Sequence, residues 1–279
     1  MNLGIARISR RTVTIAAAFV GLVSLVLGAH AALNKRSLDA AKAIATEHTG
    51  SIGTTASRVA LVIGNGHYPD ASAPLAQPIN DARGLTAALR GTGFDVDVVE
   101  DATRDDMDRA IARLKDKIKL DTVVMLFFGG YGVQVGRESF MIPVDARIWK
   151  EGDVRRDGVS IEQVLDAMTE KGAKAKLVVV DASRRNPYER RFRSYSHGLA
   201  PISVPENALI LTSATPGKVA DDGKGQYSVL VTELLNNLNS QSGAATAFNK
   251  TRISVSRSSD GEQVPQVSSS LLEDVRIGG

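Results

Sequence analysis

The 279-residue chain contains no cysteine, which removes in one step disulfides, thiolate metal ligands and a cysteine nucleophile. Histidine is nearly as scarce: four scattered residues with no paired ligand spacing give no reason to expect a zinc site, and no cofactor is expected. Nucleotide-binding signatures are missing as well. Gly64-Asn65-Gly66 lacks the third glycine and immediate helix of a dinucleotide fingerprint, and Gly129 to Gly132 lacks the lysine and hydroxyl residue of a phosphate loop. There is no G-x-S-x-G. The single tryptophan, Trp149, and the stripe Met107, Ile111, Leu114 read as packing residues.

A charge excess outside the N-terminus is lacking too. The formal charge is +3, yet the first 31 residues carry Arg7, Arg10 and Arg11 and no acid, so the remainder is neutral. The apparent basicity is a targeting feature, and no nucleic-acid partner is expected. Residues 12–33 form an uncharged run that ends in the A-x-A pattern Ala29-His30-Ala31. Residues 1–33 therefore read as a signal peptide or an uncleaved anchor, both of which export the rest of the chain to the periplasm or beyond. Contact with a membrane is expected only through this segment. Residues 34–57 read as a polar linker.

From Arg58 onward, apolar strands alternate with amphipathic helices. Val59–Ile63, Val123–Phe128, Leu177–Val180 and Ala208–Leu211 are continuous apolar runs, while Phe94–Val99 alternates. Between them lie helical stripes at Ile79, Ala82, Leu85, Leu89, at Met107, Ile111, Leu114, Ile118, and at Ile161, Val164, Leu165, Met168. A further helix is expected over Val229–Leu238 and another near Ala244–Ile253, with Phe140–Asp145 as a short antiparallel or edge piece. The order implies an α/β fold with a mostly parallel central sheet and helices on both faces. The main domain is expected over residues 58–240, with 241–279 as its extension or a tail.

In such a sheet, reactive groups gather where strands end. Two runs end abruptly, one at Gly130-Tyr131-Gly132 and the other at Asp181-Ala182-Ser183-Arg184, 52 residues apart as measured from Tyr131 to Ser183. A serine in this position can act as a nucleophile only with a base in reach. Tyrosine, with a reference pKa of about 10, is a poor acceptor at neutral pH. That leaves His67, His197, Asp181 and Lys176. His67, in the first strand-to-loop turn, is a possible substitute base, with a solvated loop histidine as the alternative. Arg184, Arg185, Arg190, Arg191 and Arg193, opposed by Glu189, read as a solvated loop or as a surface for an acidic peptide or lipid headgroup.

Taken in order, Arg58-Val-Ala-Leu-Val-Ile-Gly-Asn, Asn80-Asp81-Ala82, Gly93-Phe94-Asp95-Val96, Phe127 to Gly132, Pro143-Val144-Asp145, Asp181 to Pro187 and Ala214-Thr215-Pro216-Gly217 resemble the bacterial caspase-like proteins of the peptidase C14, metacaspase-type family. The resemblance implies a caspase-hemoglobinase fold and a His/Cys dyad about 50 residues apart. Tyr131 stands at the histidine position and Ser183 at the cysteine position, so both dyad members are replaced. The amides of Gly132 and Ser183 are expected to keep an oxyanion-hole-like arrangement. Asp181 is expected to help form an acidic pocket for a basic side chain, or else to be a structural carboxylate. The implied function is an exported pseudoprotease that binds a peptide or protein partner through a degenerate cleft. The alternative is an active endopeptidase, or a residual hydrolase using Ser183 with a recruited base.

Overall fold

The computed structural model describes residues 57–69, 74–192, 198–220, 225–238 and 243–277. The N-terminal segment 1–33 and all of the linker 34–57 except Ser57 lie outside these residues, as does His197. No helix among the described residues is long and apolar enough to cross a membrane.

Six strands form the central sheet: β1 (Arg58–Gly64), β2 (Asp95–Glu100), β3 (Val123–Gly129), β7 (Ala175–Asp181), β8 (Ala208–Thr212) and β9 (Gln266–Ser269). Their spatial order is β2-β1-β3-β7-β8-β9. All neighbours pair in parallel except β8 and β9. A small antiparallel sheet of β4 (Gly132–Val135), β5 (Glu138–Met141) and β6 (Val159–Ser160) projects beyond the end of β3.

Period-2 alternation divides the central strands between two cores. Leu61, Ile63, Val124, Leu126, Phe128, Val178 and Val180 face one side, where α2 (Arg104–Lys117) and α4 (Ile161–Glu170) contribute Met107, Leu114, Ile161 and Leu165. Ala60, Val62, Met125, Phe127, Leu177 and Val179 face the other, against α1 (Pro78–Gly91), α5 (Val229–Asn237) and α6 (Ala244–Ser258). Both faces are covered, which is why β3 and β7 are buried along their whole length. A short helix α3 (Glu151–Asp157) packs near the small sheet.

Helix ends follow the local chemistry. Thr103 and Asp106 form a reciprocal capping box on α2, Ser160 accepts from the Gln163 amide on α4, and Ser228 accepts from Val231 on α5. The antiparallel piece expected at Phe140–Asp145 is β5, displaced toward its N-terminus and finished before Pro143, which has no N–H for a ladder. Beyond Ser240 the chain supplies α6, which packs on α5, and the edge strand β9.

Candidate functional site

Parallel register aligns the C-terminal ends of three strands: Gly64 of β1 pairs with Gly129 of β3, and Gly129 with Asp181 of β7. The Gly130-Tyr131-Gly132 turn leaves this row tied to β7, its Gly130 and Gly132 amides donating to the carbonyls of Asp181 and Ala182 at 3.2 Å each. Glycine is needed at 132, where a Cβ would stand 2.6 Å from Leu199 and 2.9 Å from the Ala182 carbonyl. From the β1–α1 loop, Tyr68 fixes the same turn. Its hydroxyl accepts from the Tyr131 amide at 3.0 Å and donates to the Ile142 carbonyl at 3.1 Å. Burial pushes the Tyr68 pKa upward, so the hydroxyl keeps the proton it donates. The rings of Tyr68 and Tyr131 meet edge to face, centroids 4.9 Å apart, and Tyr131 is buried.

Ser183 is only 1% exposed, and its Oγ is buried with no hydrogen-bond partner among the described residues. Among the described residues no base is therefore hydrogen-bonded to the hydroxyl. The His67 Nδ1 lies 2.6 Å from Asp101 Oδ2, and the imidazole is 74% exposed. Asp101 also accepts from the amides of Gly66 and His67. Against the cost of partial burial, these bonds hold its carboxyl below the usual range. His67 thus belongs to a surface pair and makes no hydrogen bond to Ser183 Oγ. Lys176 is buried near the start of β7, on the order of 20 Å along the chain from Ser183 by strand rise. Burial lowers its pKa, partly countered by Glu206.

In the structure both amides of the expected oxyanion-hole-like pair have acceptors. The Gly132 amide is spent on the Ala182 carbonyl, and the Ser183 amide donates to Ser213 Oγ at 3.3 Å. Both donors are turned inward because they stitch the rim together.

Asp181 lies in a buried charge cluster. Arg184 Nη1 is 3.5 Å from Asp181 Oδ1 and also donates to the carbonyls of Gly130 (3.1 Å) and Asp181, closing the ends of β3 and β7. A second carboxylate, absent from the sequence-based site, joins it. Asp81 on α1 is fully buried and accepts from the Ser228 amide at 2.9 Å. Its pKa is raised to about 7 by burial and by the charge of Asp181. The Oδ2 atoms of both Asp81 and Asp181 are buried without a hydrogen-bond partner among the described residues. Two buried carboxyls thus share one arginine, and one oxygen of each is left without a donor among the described residues. The Asn80-Asp81 pair stands out as a motif, but an acid in the first turn of a helix reads as ordinary dipole compensation.

Past Ser183 the described part of the basic loop runs to Phe192. Tyr188 is buried, and Arg191 donates to the Ile148 carbonyl and lies over Trp149, 4.5 Å from the ring centroid. Trp149 is 67% exposed, so it carries this stacked arginine on the surface and does not fill a core as expected. Tyr131, Arg185, Asn186, Pro187, Glu189 and Arg190 line a cavity of about 460 Å³. Another, of about 330 Å³, lies at the opposite end of the sheet beside Arg58, Lys174 and Asn207. Among the described residues no three His, Asp or Glu side chains form a metal-holding group.

The similarities agree with this architecture. A stretch of 134 residues, 47% of the chain, is 30% identical to the human mucosa-associated lymphoid tissue lymphoma translocation protein 1, and one of the same length is 31% identical to its mouse homologue. The match spans only 16% of the length of those relatives. Among solved structures, caspase-1 from Spodoptera frugiperda superposes with a TM-score of 0.58 at 16% identity, over 79% of this chain and 89% of that one. It establishes a shared caspase fold. Residues 57–276 match the caspase domain of peptidase C14, and on that match over most of its length the chain belongs to the peptidase C14 caspase-domain family.

Proposed function

We propose that this chain is a caspase-domain pseudopeptidase, which holds a peptide or protein segment in the old cleft and does not cut it. The observation that carries the proposal is Ser183: a buried hydroxyl with no hydrogen-bond partner among the described residues. A serine hydroxyl becomes a nucleophile only when a base withdraws its proton. Tyr131, at the other dyad position, is packed against Tyr68. Rate enhancement would also require donors aimed at the developing oxyanion, and the two amides in question are already engaged.

Recognition in this reading falls to Asp81 and Asp181. Their orphaned Oδ2 atoms are satisfied when a lysine or arginine side chain of the partner enters beside Arg184. Residues 1–33 serve as the export signal or anchor, so that the partner is met outside the cytoplasm.

The test is calorimetric titration of the full chain with a short arginine peptide and its citrulline counterpart, which has nearly the same shape and no charge. The arginine peptide should bind at least tenfold more tightly, a difference of about 1.4 kcal/mol. Asp181→Asn should erase that preference, and mass spectrometry should recover the peptide intact. Equal affinity for the two peptides would remove the acidic-pocket assignment. Cleavage that disappears in Ser183→Ala would remove the pseudopeptidase itself.

A further inference from the structure

We propose that the loop carrying Trp149, with the basic side chains around it, is a docking surface for an anionic lipid bilayer. No residue of the Asp81–Asp181 pair takes part, so this surface and the peptide cleft stand or fall separately. Trp149 is the one tryptophan of the chain. It is 67% exposed, although indoles ordinarily bury most of their area.

The ring is held out by a fixed backbone. The amides of Trp149 and Lys150 both donate to Asp153 Oδ2, at 3.0 and 3.1 Å. Asp153 is itself buried and paired with Arg156 at 2.7 Å. On the other side Ile148 is fully buried, and its carbonyl accepts from Arg191 Nη1 at 2.6 Å. The Arg191 guanidinium then lies over the indole, 4.5 Å from the ring centroid. A loop tied on both sides of its aromatic residue loses little conformational freedom when the ring enters another phase.

The surroundings of the ring select the partner. Arg147 and Lys150 lie close to it in the loop and are exposed, as is Arg190 beside Arg191. Of the acids in these segments, Asp153 and Asp157 are taken up by Arg156, and Glu151 and Glu189 are only half exposed. Beyond residue 31 the chain as a whole carries no net charge, so these cations are a local excess. A stable protein interface would need on the order of 1,000 Å² with a continuous apolar centre. Here a single indole stands among charged side chains, its apolar neighbour Ile148 being buried. One aromatic ring that enters the headgroup layer, with lysine and arginine drawn to lipid phosphates at longer range, is the chemistry of an anionic membrane surface. Residues 12–33 are read as a signal or anchor at a membrane, and this surface adds a second, reversible contact to the one expected there.

Because Trp149 has no other tryptophan beside it in the chain, its fluorescence reports on this loop alone, even where the N-terminal segment inserts by itself. The experiment is titration of the full chain with vesicles of equal parts phosphatidylglycerol and phosphatidylcholine, beside vesicles of phosphatidylcholine alone and soluble polyglutamate. On the anionic vesicles the Trp149 emission should move to shorter wavelength and be quenched by lipids brominated on the acyl chain, and about 0.5 M salt should reverse both. Arg147→Gln and Lys150→Gln, both at exposed positions, should each weaken the response several-fold and together at least tenfold, with an unchanged melting temperature. An equal response on phosphatidylcholine vesicles, no change on the anionic ones, or a full response in the double variant would each overturn the proposal. A shift produced by polyglutamate and not by vesicles would assign the surface to an acidic protein and overturn it as well.

Discussion

Asp81 performs two duties that pull against each other. It accepts from the Ser228 amide and so holds the start of α5, yet burial and the neighbouring Asp181 raise its pKa from the usual 3.8 to about 7. A carboxyl raised in the folded state favours folding while it is protonated and loses that contribution as pH climbs from about 4 through 7. At about 1.4 kcal/mol per pKa unit, the cost above pH 7 is on the order of a few kcal/mol. Asp81→Asn retains an oxygen for Ser228 and abolishes the charge. Calorimetric melting should show the variant several degrees more stable than the parent at pH 8, with the gap closing toward pH 4.5. A gap independent of pH would contradict this. The same substitution should weaken the arginine peptide, a loss of function accompanying a gain in stability.

At the scale of elements, the β1–α1 loop carries more than a connection. Tyr68 joins it to the β3–β4 turn through the Tyr131 amide and to the segment after β5 through the Ile142 carbonyl. Tyr68→Phe keeps the ring contact with Tyr131 but removes the acceptor of the buried Tyr131 amide, while the Ile142 carbonyl keeps the Asn65 side-chain amide at 3.2 Å. Such a loss costs about 1–3 kcal/mol, so the melting temperature should fall by several degrees and hydrogen exchange at the Tyr131 amide should accelerate. An unchanged Tyr131 exchange rate would show that another acceptor takes over. The long buried strands and amphipathic helices are legible in sequence because burial on two faces or on one stripe imposes its own period. The strands β4 and β9 are not. Gln266-Val267-Ser268-Ser269 has a single apolar residue and lies at the sheet edge, held by its backbone ladder to β8. Gly132–Val135 is a four-residue strand emerging straight from a glycine turn.

For the whole molecule, the abrupt ends of two apolar runs lead to Tyr131 and Ser183, which the parallel register does bring to one rim. What sequence could not convey is how the rim's polar groups are spent. The inward use of the Gly132 and Ser183 amides depends on Ala182 and Ser213, the second of them 30 residues away. The pairing of Asp81 with Asp181 depends on how α1 and α5 pack on one face of the sheet. His67 is plausible by position and is taken up by Asp101.

In the function proposed above, the molecule is a caspase scaffold whose cleft retains charge and lacks the means of activating a nucleophile. The most direct test is a turnover assay of the full chain with fluorogenic arginine and lysine peptides, run beside Ser183→Ala at peptide concentrations shown by titration to fill the site. The account predicts that neither protein releases fluorophore faster than buffer alone. Release by the parent chain that is abolished in Ser183→Ala would contradict it.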